Sequence, residues 1–186
     1  MNIEEEIIIE ADYSEKDLTG YIFENCKFER CDFKGANLTR CKFLDCQFKN
    51  CDFSNCIIIS ASFRDVSFIE SKLLGIVWGN TLSFQNPSFE KCIMNYSSFN
   101  SLKFKKCLFR YCSLVEVDFS QADLSECDFS GSNLLQARFN NTILMKADFR
   151  TATSYQIDPL LNKLKGARFS FPEAETLLKE LGIIID

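Results

Sequence analysis

Read from Leu18, every fifth residue is large and apolar. Leu18, Phe23, Phe28, Phe33 and Leu38 open a series that runs to Trp78, slips by one residue, and resumes from Phe84 to Phe149. It has 27 consecutive members and takes in 17 of the 19 phenylalanines. Two residues before each member stands a second, smaller series: Cys26, Cys31, Ala36, Cys41 and onward, holding all ten cysteines. Polar residues fill the positions between.

An α-helix cannot use this period, because five residues overshoot a full turn and the apolar stripe would spiral round the surface. A long flat strand cannot, because an odd period puts successive large residues on opposite faces. Short extended pieces separated by bends can. Within each piece, residues two apart share a face, so the small and large positions both point inward. Gly20, Gly35, Gly75 and Gly131 stand two after a large residue, where a bend belongs. Nine large residues follow Asp or Asn, which tolerate turn geometry. The pattern predicts a solenoid with one side per five residues, and leaves the number of sides open.

Composition narrows the class. The chain has 186 residues, 46% hydrophobic and 25% charged, with a net charge of -5. No apolar run approaches the roughly 18 residues of a membrane span. The opening MNIEEEIIIE is acidic where a signal peptide would be basic. A cytosolic protein with reduced thiols is expected, bound to no membrane.

The cysteines invite a metal or redox reading. Zinc needs four ligands converging tetrahedrally, whereas these residues line a wall beside phenylalanines. Buried cysteine acts as a small hydrophobe, so core filling is expected, with no metal and no cofactor. Histidine is absent, and with it the commonest general base. No P-loop, GxGxxG or GxSxG motif occurs, so no enzyme is expected.

The segments CDFKG (Cys31 to Gly35), ANLTR (Ala36 to Arg40), ADLSE (Ala122 to Glu126), CDFSG (Cys127 to Gly131) and SNLLQ (Ser132 to Gln136) resemble the pentapeptide-repeat family. The resemblance covers roughly residues 11–153. It implies an all-β fold, a right-handed quadrilateral β-helix with four repeats per coil. About seven coils would stand roughly 30 Å tall at the ~4.8 Å spacing of stacked strands. Lys16, Tyr21, Leu82, Pro87 and Leu102 occupy positions that should be small, and looser coils are expected there. The slip through GNTLS predicts one extra residue at a corner.

Residues 1–12 are expected as an N-terminal cap strand, 13–153 as the β-helix, and 154–186 as a C-terminal cap and dimerisation segment. Ser170 and Glu173 fit a helix capping box, with Pro172 early in the helix and Gly182 as its stop. The C-terminal segment is similar to that of a bacterial subgroup that protects type II topoisomerases from quinolones or a peptide toxin. That resemblance implies an end-to-end homodimer through Leu177, Leu178, Leu181 and Ile183 to Ile185. It also implies a non-enzymatic DNA mimic that binds DNA gyrase or topoisomerase IV. A general interaction scaffold with another partner is the alternative, and a metal or redox protein a third.

Charge tests the mimicry. Residues 11–153 hold 17 acids and 17 bases, so the column as a whole copies DNA poorly. Between Glu116 and Asp128 there are five acids (Glu116, Asp118, Asp123, Glu126 and Asp128) and no base, which is the candidate partner-binding stretch. Direct nucleic-acid binding is not expected at this net charge. With four repeats per coil, Ile57, Ile59 and Val77 fall on one outer face, an exposed patch unless the N-terminal segment covers it.

Overall fold

The computed structural model describes residues 1–184. The chain winds as a parallel β-solenoid, each coil made of four five-residue sides. On the first face, β1 (Asn2–Glu4), β3 (Ile22–Glu24), β5 (Lys42–Leu44), β7 (Ser62–Arg64) and β9 (Ser83–Gln85) stack in parallel register. On the second, β2 (Ile7–Ile9), β4 (Lys27–Glu29), β6 (Gln47–Lys49), β8 (Ser67–Ile69), β10 (Ser88–Glu90) and β11 (Leu108–Arg110) do the same. The third and fourth faces carry single-residue bridges, such as Asp32↔Asp52 and Asn37↔Ile57.

Regular strands therefore give five levels on one face and six on the other, fewer than the seven coils expected. Bridges carry the same register onward, through Leu108↔Asp128 and Asp128↔Asp148 to Asp148↔Arg168. The solenoid also outruns its expected limits. β1 and β2 join the stack below residue 13, with Ile3 and Ile8 turned to the core. At the top, residues 154–162 leave the five-residue pattern, with Tyr155 and Ile157 plugging the core. Leu164 and Phe169 then resume it, and Phe169 stacks on Phe149 at 5.2 Å.

The core follows from the two inward series. Phe23, Phe43 and Phe63 stack face to face at 5.1 Å, while neighbours on adjacent sides meet edge-on. Both geometries are the favourable ones for aromatic rings. The small series has a property that size does not reveal. Its side chains donate to the carbonyl of a large residue one level below: Cys41 Sγ to Leu18 at 2.9 Å, Ser132 Oγ to Phe109 at 2.6 Å, Thr142 Oγ1 to Phe119 at 3.0 Å. Asn162 Nδ2 does the same to Phe139 at 2.6 Å. Cys, Ser, Thr and Asn thus share a slot as small donors, and Ala36 shows that the bond is optional.

Corners repeat one conformation. Of 26 non-glycine residues with positive φ, all but Ser154 stand two after a large inward residue. Most of them donate their N–H to a carbonyl of the next level, as Glu5 does to Glu24 O at 2.9 Å and Arg40 to Ile59 O at 2.9 Å.

The frame slip is one 3-10 turn, Trp78–Asn80, closed by Thr81 N–H to Trp78 O. Pairings that cross it step by 21 residues, as in Ser62↔Ser83, and Ser88↔Leu108 returns to 20. The extra residue turns Leu82 outward, 74% exposed, while Pro87 stays buried and Leu102 half-buried. No bridge joins Ser83 to Lys103, the disturbed level expected there.

The C-terminal helix α1 (Glu175–Glu180) begins later than the capping box requires. Its N-cap is Ala174, without a side-chain cap. Ser170 Oγ accepts instead from Thr151 N–H at 3.1 Å, because residue 170 still belongs to the last coil. Gly182, with φ +73, ends the helix as expected.

Candidate interaction surface

Among the described residues no three His, Cys, Asp or Glu side chains converge as a metal site. All ten cysteines are buried and unpaired. Burial pushes the Cys41 thiol up to about 11 and Cys46 to about 12. Chemistry toward a partner therefore rests with the outward positions.

The five acids of the candidate stretch do not form one surface. Five residues make one side, so 116–128 wraps round three sides of a single coil. Asp118, Asp123 and Asp128 lie on the fourth, first and second faces, bridged to Ser98, Lys103 and Leu108 of the coil below. Glu116 and Glu126 stand at two different corners.

Three of these carboxylates are already engaged. The Oδ1 atoms of Asp118, Asp123 and Asp128 accept from the backbone N–H of Ser120, Ser125 and Ser130 at 2.9–3.1 Å. Their Oδ2 atoms face cations: Arg138 at 3.4 Å, Lys105 at 3.5 Å and Arg110 at 2.6 Å. Burial opposes the charged form, but these hydrogen bonds and cations outweigh it, so all three acids sit below the ordinary 3.8. Glu116 and Glu126 are exposed and free of ion pairs among the described residues.

The expected apolar patch exists. Ile57, Ile59 and Val77 are each about half exposed and line one shallow groove with Gly75 and Asn80. The N-terminal segment does not cover it, because that segment is stacked into the first coil. At the C-terminal end, Leu177 and Leu178 are half-buried, with Leu177 against the core. Leu181, Ile183 and Ile184 are exposed, Ile184 to 88%. Ile185 lies outside the described residues.

One feature was missed in the sequence. Lys103 and Lys163, Lys105 and Lys165, and Lys106 and Lys146 are separated by multiples of 20 residues. Charges compared at the coil length, rather than along the chain, would have gathered them on one edge.

Comparison with known proteins agrees with this architecture. A family model described as "Pentapeptide repeat region" matches residues 21–99 and 102–176. No curated protein matches the sequence. Among solved structures, a trypsin-treated variant of QnrB1, a plasmid-mediated fluoroquinolone resistance protein, superposes with a TM-score of 0.66 at 21% identity. That match covers 100% of this chain and 92% of the other. A second trypsin-treated QnrB1 variant gives 0.58 at 21% identity over 100% of both chains. HetL, from the cyanobacterium Nostoc sp. strain PCC 7120 and involved in heterocyst differentiation regulation, gives 0.53 at 16% identity, covering 90% of this chain and 84% of its own. At these identities the likeness speaks for the fold.

Proposed function

The chain belongs to the pentapeptide-repeat family, and from that premise we propose that it is a non-catalytic, cytosolic protein-interaction column whose partner is DNA gyrase or topoisomerase IV. It would protect that enzyme from a quinolone or a peptide toxin, or regulate it. The observation that carries this reading is the end-to-end correspondence with a fluoroquinolone resistance protein, over the whole of this chain. The exposed Leu181, Ile183 and Ile184 support a second copy at the C-terminal end. The contact would use shape more than charge, since Asp118, Asp123 and Asp128 are engaged within the column and, of that stretch, Glu116 and Glu126 remain free to meet a basic surface.

That same engagement favours a second reading, a scaffold for a partner other than a topoisomerase, as a shared fold does not fix function. Gyrase supercoiling, with and without this protein and with and without ciprofloxacin, separates the two. Inhibition or protection that weakens in Glu116→Lys/Glu126→Lys supports the topoisomerase reading. Neither effect at tens of micromolar leaves the scaffold reading. Light scattering tests the dimer: a monomer at micromolar concentration rules it out, and Leu181→Asp/Ile184→Asp should dissociate a dimer without unfolding the column.

A further inference from the structure

The two ends of the column differ in charge. Residues 1–60 carry 12 acids and 7 bases, whereas residues 101–170 carry 7 acids and 10 bases. The excess base is concentrated where the first and second faces meet. The corner there presents Lys106, Glu126, Lys146 and Gly166 on successive levels, all with positive φ. A groove of about 410 Å³ runs along one side of the corner, lined by Lys105, Met145, Lys146 and Lys165. Another of about 630 Å³ runs along the other side, with Lys106, Arg110, Lys146 and Arg168. Glu126, Lys146 and Gly166 line both.

Ion pairing decides which charges are spare. Lys105 and Arg110 are matched by Asp123 and Asp128, and Asp148 by Arg150 at 2.7 Å. Lys106, Lys146, Lys165 and Arg168 have no ion pair among the described residues. Glu126 is the one acid lining either groove that is not already paired. Levels lie ~4.8 Å apart, within the ~10 Å Debye length of dilute salt, so the four cations act as one positive field. The floor between them is apolar. Met145 is 40% exposed, and a Cβ at Gly166 would approach Lys146 Cγ to 3.3 Å, so glycine there leaves the lysine stem bare. A methionine floor adapts to varied apolar side chains.

We propose that this edge binds an acidic peptide segment of a partner protein that carries an apolar anchor. Carboxylates meet Lys106, Lys146, Lys165 and Arg168, and the anchor lies on Met145 and the Lys146 stem. A nucleic acid fits less well. Neither groove has an aromatic side chain for base stacking, whereas the exposed Met145 offers a peptide's apolar side chain a contact. The proposal does not rest on the topoisomerase reading, and its test uses no topoisomerase.

The test is fluorescence anisotropy of the full chain with a fluorescein-labelled dodecapeptide of repeated Glu-Glu-Leu. The Gln-for-Glu and Ser-for-Leu analogues and a single-stranded dodecanucleotide serve as comparisons. The peptide should bind with affinity that falls as salt rises, and both analogues should bind more weakly. Lys106→Gln/Lys146→Gln/Lys165→Gln should weaken binding by about tenfold or more, as expected for several cooperating charges. Met145→Ser should weaken it by roughly threefold, as expected for losing part of one apolar contact. Lys27→Gln/Lys34→Gln/Lys49→Gln, at the other end of the column, should leave it unchanged. Should the triple variant lose its melting transition, Lys165→Gln alone carries the test. No binding up to roughly 1 mM, equal weakening by the remote variant, or tighter binding of the oligonucleotide would each overturn the proposal.

Discussion

On the first two faces of the lower coils, the large inward residue is the centre of a three-residue strand. On the third and fourth faces of the same coils, an equally buried residue is held by one bridge and a turn. What differs is the outward residue just before it. From β3 onward no strand begins with Asp or Asn. The ten Asp and Asn residues that precede an inward side chain from Asp12 to Asp148 all lie in turn-type sides, including those that Asp123, Asp128 and Asp148 bring to the first and second faces of the upper coils. Each accepts, through Oδ1, the N–H of the residue two positions on, as Asp32 does from Lys34 at 2.8 Å and Asn133 from Leu135 at 3.1 Å. The side chain thereby offers the backbone a local partner in place of an extended ladder. On the second face the strands end where Asp128 arrives. Ile57, Lys72 and Ile93 stand on turn faces without such a bond, so the carboxylate suffices for the turn but is not required for it. One core is thus enclosed by two kinds of wall.

Loss of a core ring should ignore the kind of wall. Phe43→Ala, behind a strand, and Phe129→Ala, behind a turn, should each cost about 3–5 kcal/mol in thermal or denaturant melts; a consistent gap between them would mean that the walls bear load unequally. Smaller, and specific to the turn wall, is the loss of its side-chain bond. Asp32→Ala should cost about 1 kcal/mol, like the loss of a helix cap, while Lys27→Ala on a strand should stay within about 0.5 kcal/mol, as for an ordinary surface change. Equal costs would remove the distinction.

The smallest effect per site is that of pH. Asp12 is held below 3.8 chiefly by the Ser14 hydroxyl, Asp17 by the Thr19 hydroxyl, and Asp148 by Arg150. A carboxylate with a depressed folded value contributes stability that is fully present above 3.8 and lost as pH falls through that folded value. Below pH 3.8 the amides of Ser14, Thr19 and Arg150 should exchange faster relative to those of Thr39 and Leu135, whose acceptors Asn37 and Asn133 do not titrate. A uniform response would show that the Asp bonds are not what acid breaks.

The repeat was legible in the sequence because the core imposes it: each side must turn one small and one large residue inward, and Phe23 to Phe149 declare that directly. The upper end was not, since Leu164 and Phe169 return in phase only after two sides are replaced by the Tyr155 and Ile157 plug. The donor role of the small series is hidden in the sequence because Ala, which donates nothing, shares the slot with Cys, Ser and Thr. The acidic stretch misled for a geometric reason. Neighbours along the chain turn corners, so Asp118 and Asp128 part company while Lys106 and Lys146 stand on one edge. Surface chemistry in this molecule is ordered by 20 residues, not by one.

The corners carry a final consequence. Glu, Arg, Lys, Tyr, Asp and Gln all adopt a conformation there that costs L-residues roughly 1–2 kcal/mol, so the stack, not the local residue, dictates the backbone. The exterior is thereby an addressable grid, in which a step of five moves a quarter turn and a step of 20, or 21 across the turn at Trp78–Asn80, moves one floor. Letters on that grid can be rewritten without consulting the interior, and the separation between any two of them is known before the protein is made.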